Sequence, residues 1–506
     1  MRTLVDLLKQ AETLHGDRIA TSTFGRQLTY GALLERSRRL VAVLRTCGVA
    51  PGDRVALLAA NSLHYIEVNF ACALAGAILV PLNIRLAASE LKDILGRIAA
   101  RLAFCGTPFT IEGMPVIGWD DAVGPDGECP YEAALRGTPP LADAPAEIGS
   151  GDIAQIYFTS GTTGSPKGVC LTHGNMLASA LDAIETLGFG DRDVWLHAAP
   201  MFHLVDAFAI WGITLAGGVH VAAHFDPQVF GGLVAHERIT KTSLPPTLLD
   251  WISRQAPGKH HDLSSLELIS YGGSPMQDAV YRRCREALRC LLLQAYGLTE
   301  GSGFVCHERP GDNPDAEAAI NTVGRPTRHA EIALLEGDSI LPPESDGTGE
   351  VLLRGARLFE NYWNDPVATR AAFLDGWYRT GDLAARKDGQ YRIIGRSKDM
   401  IISGGENVYP AEVVNALLSH PAIAEAVVFG FPSEQWGEEV RAVVYIAPDA
   451  GSVPTFDELT RHCRALIGGY KTPKKIALSA TPLPKTGAGK IAVAAIRETY
   501  SRKELP

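Results

Sequence analysis

Residues 159–168 read Thr-Ser-Gly-Thr-Thr-Gly-Ser-Pro-Lys-Gly, which brings five hydroxyls, three glycines and one lysine into ten positions. That mixture suits a polyphosphate. Glycines let backbone approach a phosphate with no Cβ in the way, exposed N–H groups donate to its oxygens, and hydroxyls also ligate a bound magnesium ion. The pattern is not a Walker A loop, because Lys167 is preceded by Pro166 and followed by Gly168, and the dinucleotide spacing G-x-G-x-x-G is missing. On residue types alone, a solvated surface turn competes with the phosphate loop.

The ten residues resemble the phosphate loop of the adenylate-forming enzymes, the superfamily of acyl-CoA synthetases, nonribosomal-peptide adenylation domains and beetle luciferases. The resemblance extends over essentially the whole chain, with the principal motifs in family order. It implies that Thr159, Ser160, Gly161, Thr162, Thr163, Gly164 and Lys167 hold ATP, with Thr159 also beside the metal. Gln294-Ala295-Tyr296-Gly297-Leu298-Thr299-Glu300 is similar to the family's Tyr-Gly-x-Thr-Glu segment. Tyr296 would then offer adenine an aromatic face, Thr299 a hydroxyl to the α-phosphate and Glu300 a hard oxygen to magnesium. Ala295 and Gly297 join the same set, and Gly272, Gly273 and Ser274 would leave a slot along the adenine and acyl groups. Asp382, in Arg379-Thr380-Gly381-Asp382, matches the aspartate that accepts both ribose hydroxyls, and Arg396 matches an arginine reaching ribose and phosphates.

The remaining matches concern the acid, the thiol and movement between them. His203 matches a histidine bordering the acyl pocket and the nucleotide cleft, and Lys398 occupies the hinge position. Gly404 and Gly405 lie in a segment resembling the wall of the pantetheine tunnel, and Lys490 matches the catalytic lysine, while Lys485 reads as a surface charge. Lys471 and Lys474 belong to a basic cluster able to contact CoA phosphates or simply to face water. Candidate acyl-pocket residues are Val205, Ala207, Phe208, Trp211, Thr247 and Gly303. Being small or apolar, they favour a medium- or long-chain fatty acid or an aryl acid over a dicarboxylate. Asp206 is the polar exception and is expected to be structural.

The implied chemistry explains why these groups are so dispersed. A carboxylate attacking the α-phosphate of ATP meets another anion, so magnesium on Glu300 and the ammonium of Lys490 must neutralise the developing charge. The same lysine would obstruct the thiol that follows. With Lys490 and the Gly404-Gly405 segment on opposite faces of one mobile domain, rotation about Lys398 exchanges them. The resemblance thus implies an AMP-forming acyl-CoA synthetase using ATP, Mg2+ and coenzyme A. Two alternatives are loading of a carrier protein's phosphopantetheine and, from another class, a non-catalytic nucleotide-binding module.

Positioning these residues requires particular elements. Residues 153–158 predict a buried strand feeding the phosphate loop, with a helix capped near Asn175 beyond it. Leu33, Leu34, Ser37, Leu40, Val41 and Leu44 mark one face of a helix. Strands at 54–59, 78–80 and 102–105 alternate with helices at 62–75 and 89–99, which implies a layered α/β domain with parallel strands. Residues 106–150, rich in Pro, Gly, Asp and Glu, read as a surface excursion. Further strands are expected near 194–198, 219–223, 266–271 and 291–296. Short strands from about residue 331, with the hairpin signal Asp388-Gly389, predict a sheet or small β-barrel. The fold expected is therefore α/β: a large N-terminal domain of several subdomains over 1–396, and a small mobile α+β domain over 397–506.

Composition narrows the rest. The 506 residues are 46% hydrophobic, ample for more than one core. A net charge of -10 argues against a nucleic-acid partner. Nine scattered cysteines without C-x-x-C suit free thiols in a reducing cytoplasm. The apolar run 70–82 contains Pro81 and is too short to span a bilayer. The expected partner is a small-molecule carboxylic acid, and a homodimer is compatible with the sequence.

Overall fold

The computed structural model describes residues 1–23, 26–106, 114–119, 129–141, 147–159, 166–222, 226–274, 276, 278–309, 322–403, 406–433, 435–448, 450–485 and 491–501. Four sheets organise them.

The first is seven-stranded, and its buried centre is parallel. Arg54–Leu58, Ile78–Pro81, Leu102–Cys105 and Ile153–Thr159 are near-continuous apolar runs, as expected of strands covered on both faces. Helix Leu63–Ala75 is mostly apolar, with Glu67 and Asn69 as polar exceptions, and is wholly buried from Tyr65 onward; Ser62 caps its start and Gly76, at φ +70°, ends it. Helix Tyr30–Thr46 buries Leu33, Leu34, Ser37, Leu40, Val41 and Leu44, the face its spacing predicts. Beyond Ile153–Thr159 the chain returns antiparallel as Lys167–Thr172, with Thr159 opposite Lys167. The two ends of the phosphate loop are thereby fixed side by side. Ser160, Gly161, Thr162, Thr163 and Gly164 lie outside the described residues.

Two local expectations are corrected. Thr172, not Asn175, caps helix His173–Leu187; Asn175 is the third helical residue and completes a capping box by returning its side chain to the Thr172 N–H. Nor are residues 106–150 wholly an excursion. The short helix Pro130–Arg136 buries Tyr131, whose hydroxyl donates to Glu67 at 2.6 Å, while Arg36 pairs with both Glu67 and Glu132.

The second sheet has nine strands, and its parallel centre includes Val194–Leu196, Lys241–Leu244, Leu268–Gly272 and Leu291–Leu298. The carboxyl ends of these strands deliver His197, Gly273 and Thr299, the edge where open α/β sheets place ligands. The third sheet is the antiparallel half-barrel that the short strands predict. Its hairpin pairs Trp377–Lys387 with Gln390–Arg396 across Asp388 and Gly389, both at positive φ, and the register sets Asp382 opposite Arg396. The fourth sheet draws all its strands from beyond residue 400 and packs on Pro410–Leu418 and Phe456–Leu466 around Val413, Leu417, Val440, Val444 and Leu459. All nine cysteines are free. Among the described residues, no helix is long and apolar enough to cross a membrane.

Candidate active site

The polar side of the site is built on two strand ends and one hairpin. Tyr296 is nearly buried, and its hydroxyl donates to Asp382 Oδ2 at 2.8 Å, while Arg396 Nε lies 3.0 Å from Asp382 Oδ1. Burial, then the Asp382 charge, raises the Tyr296 phenol well above its usual range, so it is held as a donor. The Arg396 side chain is 53% exposed, whereas the Asp382 carboxylate it meets is largely buried.

A second cluster surrounds Glu300. The Tyr362 hydroxyl donates to Glu300 Oε1 at 2.8 Å, the Phe359 N–H donates to the Glu300 carbonyl at 2.8 Å, and Lys167 Nζ lies 4.7 Å from the centroid of the Tyr362 ring. This arrangement follows from the short edge strand Asn361–Tyr362, which pairs with Lys167–Thr172. Glu300 has no ion-pair partner among the described residues and is partly exposed. A hard, un-neutralised carboxylate beside a phosphate-loop lysine fits a magnesium–polyphosphate ligand. The ion would supply charge neutralisation at the phosphates. Thr299 begins the same turn, Thr299–Gly301, and is partly exposed.

The small residues are constrained by different things. A Cβ on Gly272 would come within 2.4 Å of the Ala295 carbonyl oxygen, and one on Gly297 within 2.2 Å of the Gly303 oxygen, so neighbouring backbone alone requires glycine there. Gly273 instead has φ +81°, is exposed, and would meet nothing within 4 Å, which leaves open space above the strand end. Ser274 and Ala295 are intermediate in exposure.

The acyl side is packed quite differently. Asn61 holds the loop before His203 by donating to the carbonyls of His197 and Ala199 and accepting from the Met201 N–H. His203 is partly exposed and meets Phe202 edge-on at 4.7 Å. Asp206 is fully buried, accepts from Trp195 Nε1 at 3.0 Å and pairs with His197 Nδ1, which fits the structural role expected of it. The relay continues from His197 Nε2 to His220 Nδ1 and from His220 Nε2 to Thr214, each at 3.0 Å. Of the six pocket candidates, Ala207, Phe208 and Trp211 are essentially buried in helix Ala207–Ala216, Gly303 is buried beside Phe208, and Val205 and Thr247 are exposed. Trp211 packs on Phe70, and Phe208 packs edge-on against Phe304 at 4.9 Å.

Farther along, Lys398 is exposed in the turn Ser397–Asp399. Lys471 donates to both Glu412 oxygens at 2.7 and 2.8 Å, and Lys474 Nζ lies 5.3 Å from the Trp436 ring. Lys485 pairs with Glu425 at 2.8 Å. Gly404, Gly405 and Lys490 lie outside the described residues.

Sequence reasoning missed Tyr362, which bridges Lys167 and Glu300, because a two-residue strand carries no periodicity. It also missed the pair behind the nucleotide strand: His307 Nδ1 donates to the Glu308 carbonyl, leaving Nε2 to accept from Ser270 at 2.9 Å. Burial pushes His307 down to about 4, so it is neutral near pH 7.

The strand-end Tyr296 on the buried Asp382, and Tyr362 between Glu300 and Lys167, gather acidic, basic and phenolic groups on a layered α/β fold in a set that suits a nucleotide. The chain belongs to the AMP-binding enzyme family: the family model "AMP-binding enzyme" matches residues 7–363, and "AMP-binding enzyme C-terminal domain" matches 412–490. It is 36% identical over 487 residues to a feruloyl-CoA synthase of Amycolatopsis, with 94% of each chain covered. It is 34% identical over 493 residues to the long-chain-fatty-acid–CoA ligase FadD13 of Mycobacterium tuberculosis, covering 94% of this chain and 93% of that one. The o-succinylbenzoate-CoA synthetase of Bacillus subtilis, solved with ATP and magnesium, superposes with a TM-score of 0.84 at 27% identity, over 97% of this chain and 99% of that chain. The chain is thus an AMP-forming acid–thiol ligase that uses ATP, Mg2+ and coenzyme A.

Proposed function

We propose that this enzyme activates a medium- or long-chain fatty acid or an aryl acid as its acyl-adenylate, releasing pyrophosphate, and then transfers the acyl group to coenzyme A with release of AMP. One observation carries the reading: the Tyr362 side chain joins Lys167, from the phosphate loop, to Glu300, from a different sheet. In this account Thr159, the 160–164 loop and Lys167 hold the phosphates, and Thr299 binds the α-phosphate. Glu300 holds magnesium, and Tyr296 with Gly272, Gly273, Ser274, Ala295 and Gly297 frames the adenine. Asp382 and Arg396 take the ribose, and His203 borders the reacting carboxylate. Lys490 neutralises carboxylate and α-phosphate oxygens during adenylation. Residues 397–506 then rotate about Lys398 to bring Gly404 and Gly405 to the thiol. A cytoplasmic location and a homodimer belong to the same proposal.

Loading of a carrier protein is retained as the second reading on a specific ground. Lys471 is already engaged by Glu412, which leaves Lys474 as the remaining cation proposed for CoA phosphates. A panel of fatty, aryl and dicarboxylic acids assayed by pyrophosphate release, followed by free CoA or a phosphopantetheinylated carrier protein, tests both readings. The expected result is release with apolar acids and a thioester with CoA. A thioester on the carrier alone would favour the second reading. Absence of any acid-dependent pyrophosphate release would return the chain to a nucleotide-binding module.

A further inference from the structure

Behind the proposed metal ligand lies a charged group that none of the motifs contains. Arg357 is completely buried, and all five of its N–H donors are used. Nε donates to the Gly301 carbonyl at 3.3 Å; Nη1 donates to Asp182 Oδ2 at 2.9 Å and Thr327 Oγ1 at 3.3 Å; Nη2 donates to Ser179 Oγ and the Ser302 carbonyl, each at 3.0 Å. A guanidinium has no sixth donor, so this arginine is not left to read a substrate carboxylate. Asp182 is equally buried, and its Oδ1 accepts from His329 Nδ1 at 2.6 Å. The network closes on itself: Ser179 Oγ–H donates to the Ser302 carbonyl at 2.6 Å, and Ser302 Oγ–H donates to the Arg357 carbonyl at 2.6 Å.

Every contact on the turn side falls on Gly301 and Ser302, the two residues after Glu300. That turn is conformationally costly at Ser302, a non-glycine residue at φ +57°, while Gly303 takes φ +109° without a Cβ penalty. Its buried carbonyls need donors, and a fully desolvated ion pair is an expensive way to supply them when apolar side chains of similar volume fill a core as well or better. The guanidinium also lies 5.1 Å over the Phe304 ring and 3.4 Å from where a Gly303 Cβ would stand. Burial lowers the Arg357 pKa, with the Asp182 charge opposing that shift and keeping the cation in place. Two residues on, Phe359 fixes the Glu300 carbonyl, and Tyr362 holds its carboxylate. Within the segment from Arg357 to Tyr362, Phe359 and Tyr362 thus hold Glu300 directly, and Arg357 holds the two residues that follow it.

We infer that Arg357, locked by Asp182, is a positioning residue for adenylation: it fixes the Gly301–Gly303 turn and, through it, the aim of the Glu300 carboxylate at the metal. The inference rests on the reading of Glu300 as the magnesium ligand.

The test is ATP binding by calorimetry across a magnesium titration, for the full-length enzyme and for Glu300→Gln, Arg357→Lys, Ser179→Ala and the double variant Asp182→Asn/Arg357→Met, each with its melting temperature. Loss of a group that orients a metal ligand lowers metal affinity roughly 10-fold or more, so the double variant should need about that much more magnesium for half-maximal ATP binding. Arg357→Lys should fall between it and the parent, and Ser179→Ala should shift least. A purely structural role lowers the melting temperature without moving the magnesium midpoint, and that result would overturn the inference. If the double variant does not fold, Arg357→Lys and Ser179→Ala carry the same comparison, and unmoved midpoints in both overturn it. An unchanged midpoint in Glu300→Gln would instead remove the metal-ligand reading on which the inference stands.

Discussion

The two regions proposed for the nucleotide and for the acyl group are made of opposite materials. On the first, Tyr296, Asp382, Arg396, Glu300, Tyr362 and Lys167 form a preorganised polar set in which each group has a defined partner. On the second, Ala207, Phe208 and Trp211 are packed as tightly as any core residue, in a helix apolar on every face. The contrast shows where each kind of information resides. In the proposed function, ATP recognition depends on a few polar groups at fixed strand ends, whereas acid selection depends on how far packed apolar side chains leave or make room.

If that contrast holds, damage to the two sides should separate cleanly. The largest effect is expected at the step that uses the polar set: Lys490→Ala should lower adenylate formation by roughly 10²–10³-fold, the usual scale for removing one transition-state electrostatic partner. Thioester formation from supplied acyl-adenylate should be nearly unchanged, and Gly405→Leu should do the reverse; stopped-flow measurement of the two half-reactions decides. Next, Asp382→Asn removes charge-assisted bonds worth about 1.5–3 kcal/mol, so kcat/KM for ATP should fall by roughly 10–100-fold while the ranking of acids stays fixed. A reordered acid ranking in that variant would break the separation.

Two smaller effects sharpen it. His307 and His173 each titrate near 4 in the folded chain because burial disfavours the imidazolium, against an ordinary 6.5. Between those values the unfolded chain binds more protons, so stability should fall as pH drops from about 6.5 towards 4, by at most about 3 kcal/mol per histidine. His307→Gln should flatten that slope in pH-dependent denaturant melts. The smallest effect is expected on the acyl side: Phe208→Leu should shift relative kcat/KM among acids by roughly 10-fold towards longer ones, with KM for ATP unmoved.

Legibility in the sequence followed the same division. Leu102–Cys105 has the bounds its apolar run predicts, and the Asp388-Gly389 hairpin sets Asp382 opposite Arg396, because tight turns fix register. Strand Lys241–Leu244 escaped notice because its first residue is a lysine; Lys241 is nonetheless buried, with Nζ on Asp193 at 2.9 Å and on the Gly188 carbonyl at 2.6 Å. Arg357 and Asp182 were invisible for a related reason: a buried ion pair is assembled by tertiary packing between a helix and a distant loop, and neither residue carries a local signature. The pocket candidates were named by residue type, and residue type does not distinguish a wall facing ligand from a wall facing core.

The central claim is that Asp382 and the phosphate-loop lysine serve one adenylate. A crystal structure with a non-reactive acyl-adenylate analogue tests it most directly. The account predicts ribose hydroxyls on the Asp382 carboxylate, with the adenine against Tyr296 and the phosphate mimic beside Lys167. An analogue bound elsewhere, with Asp382 still held by Arg396 and Tyr296 alone, would contradict it.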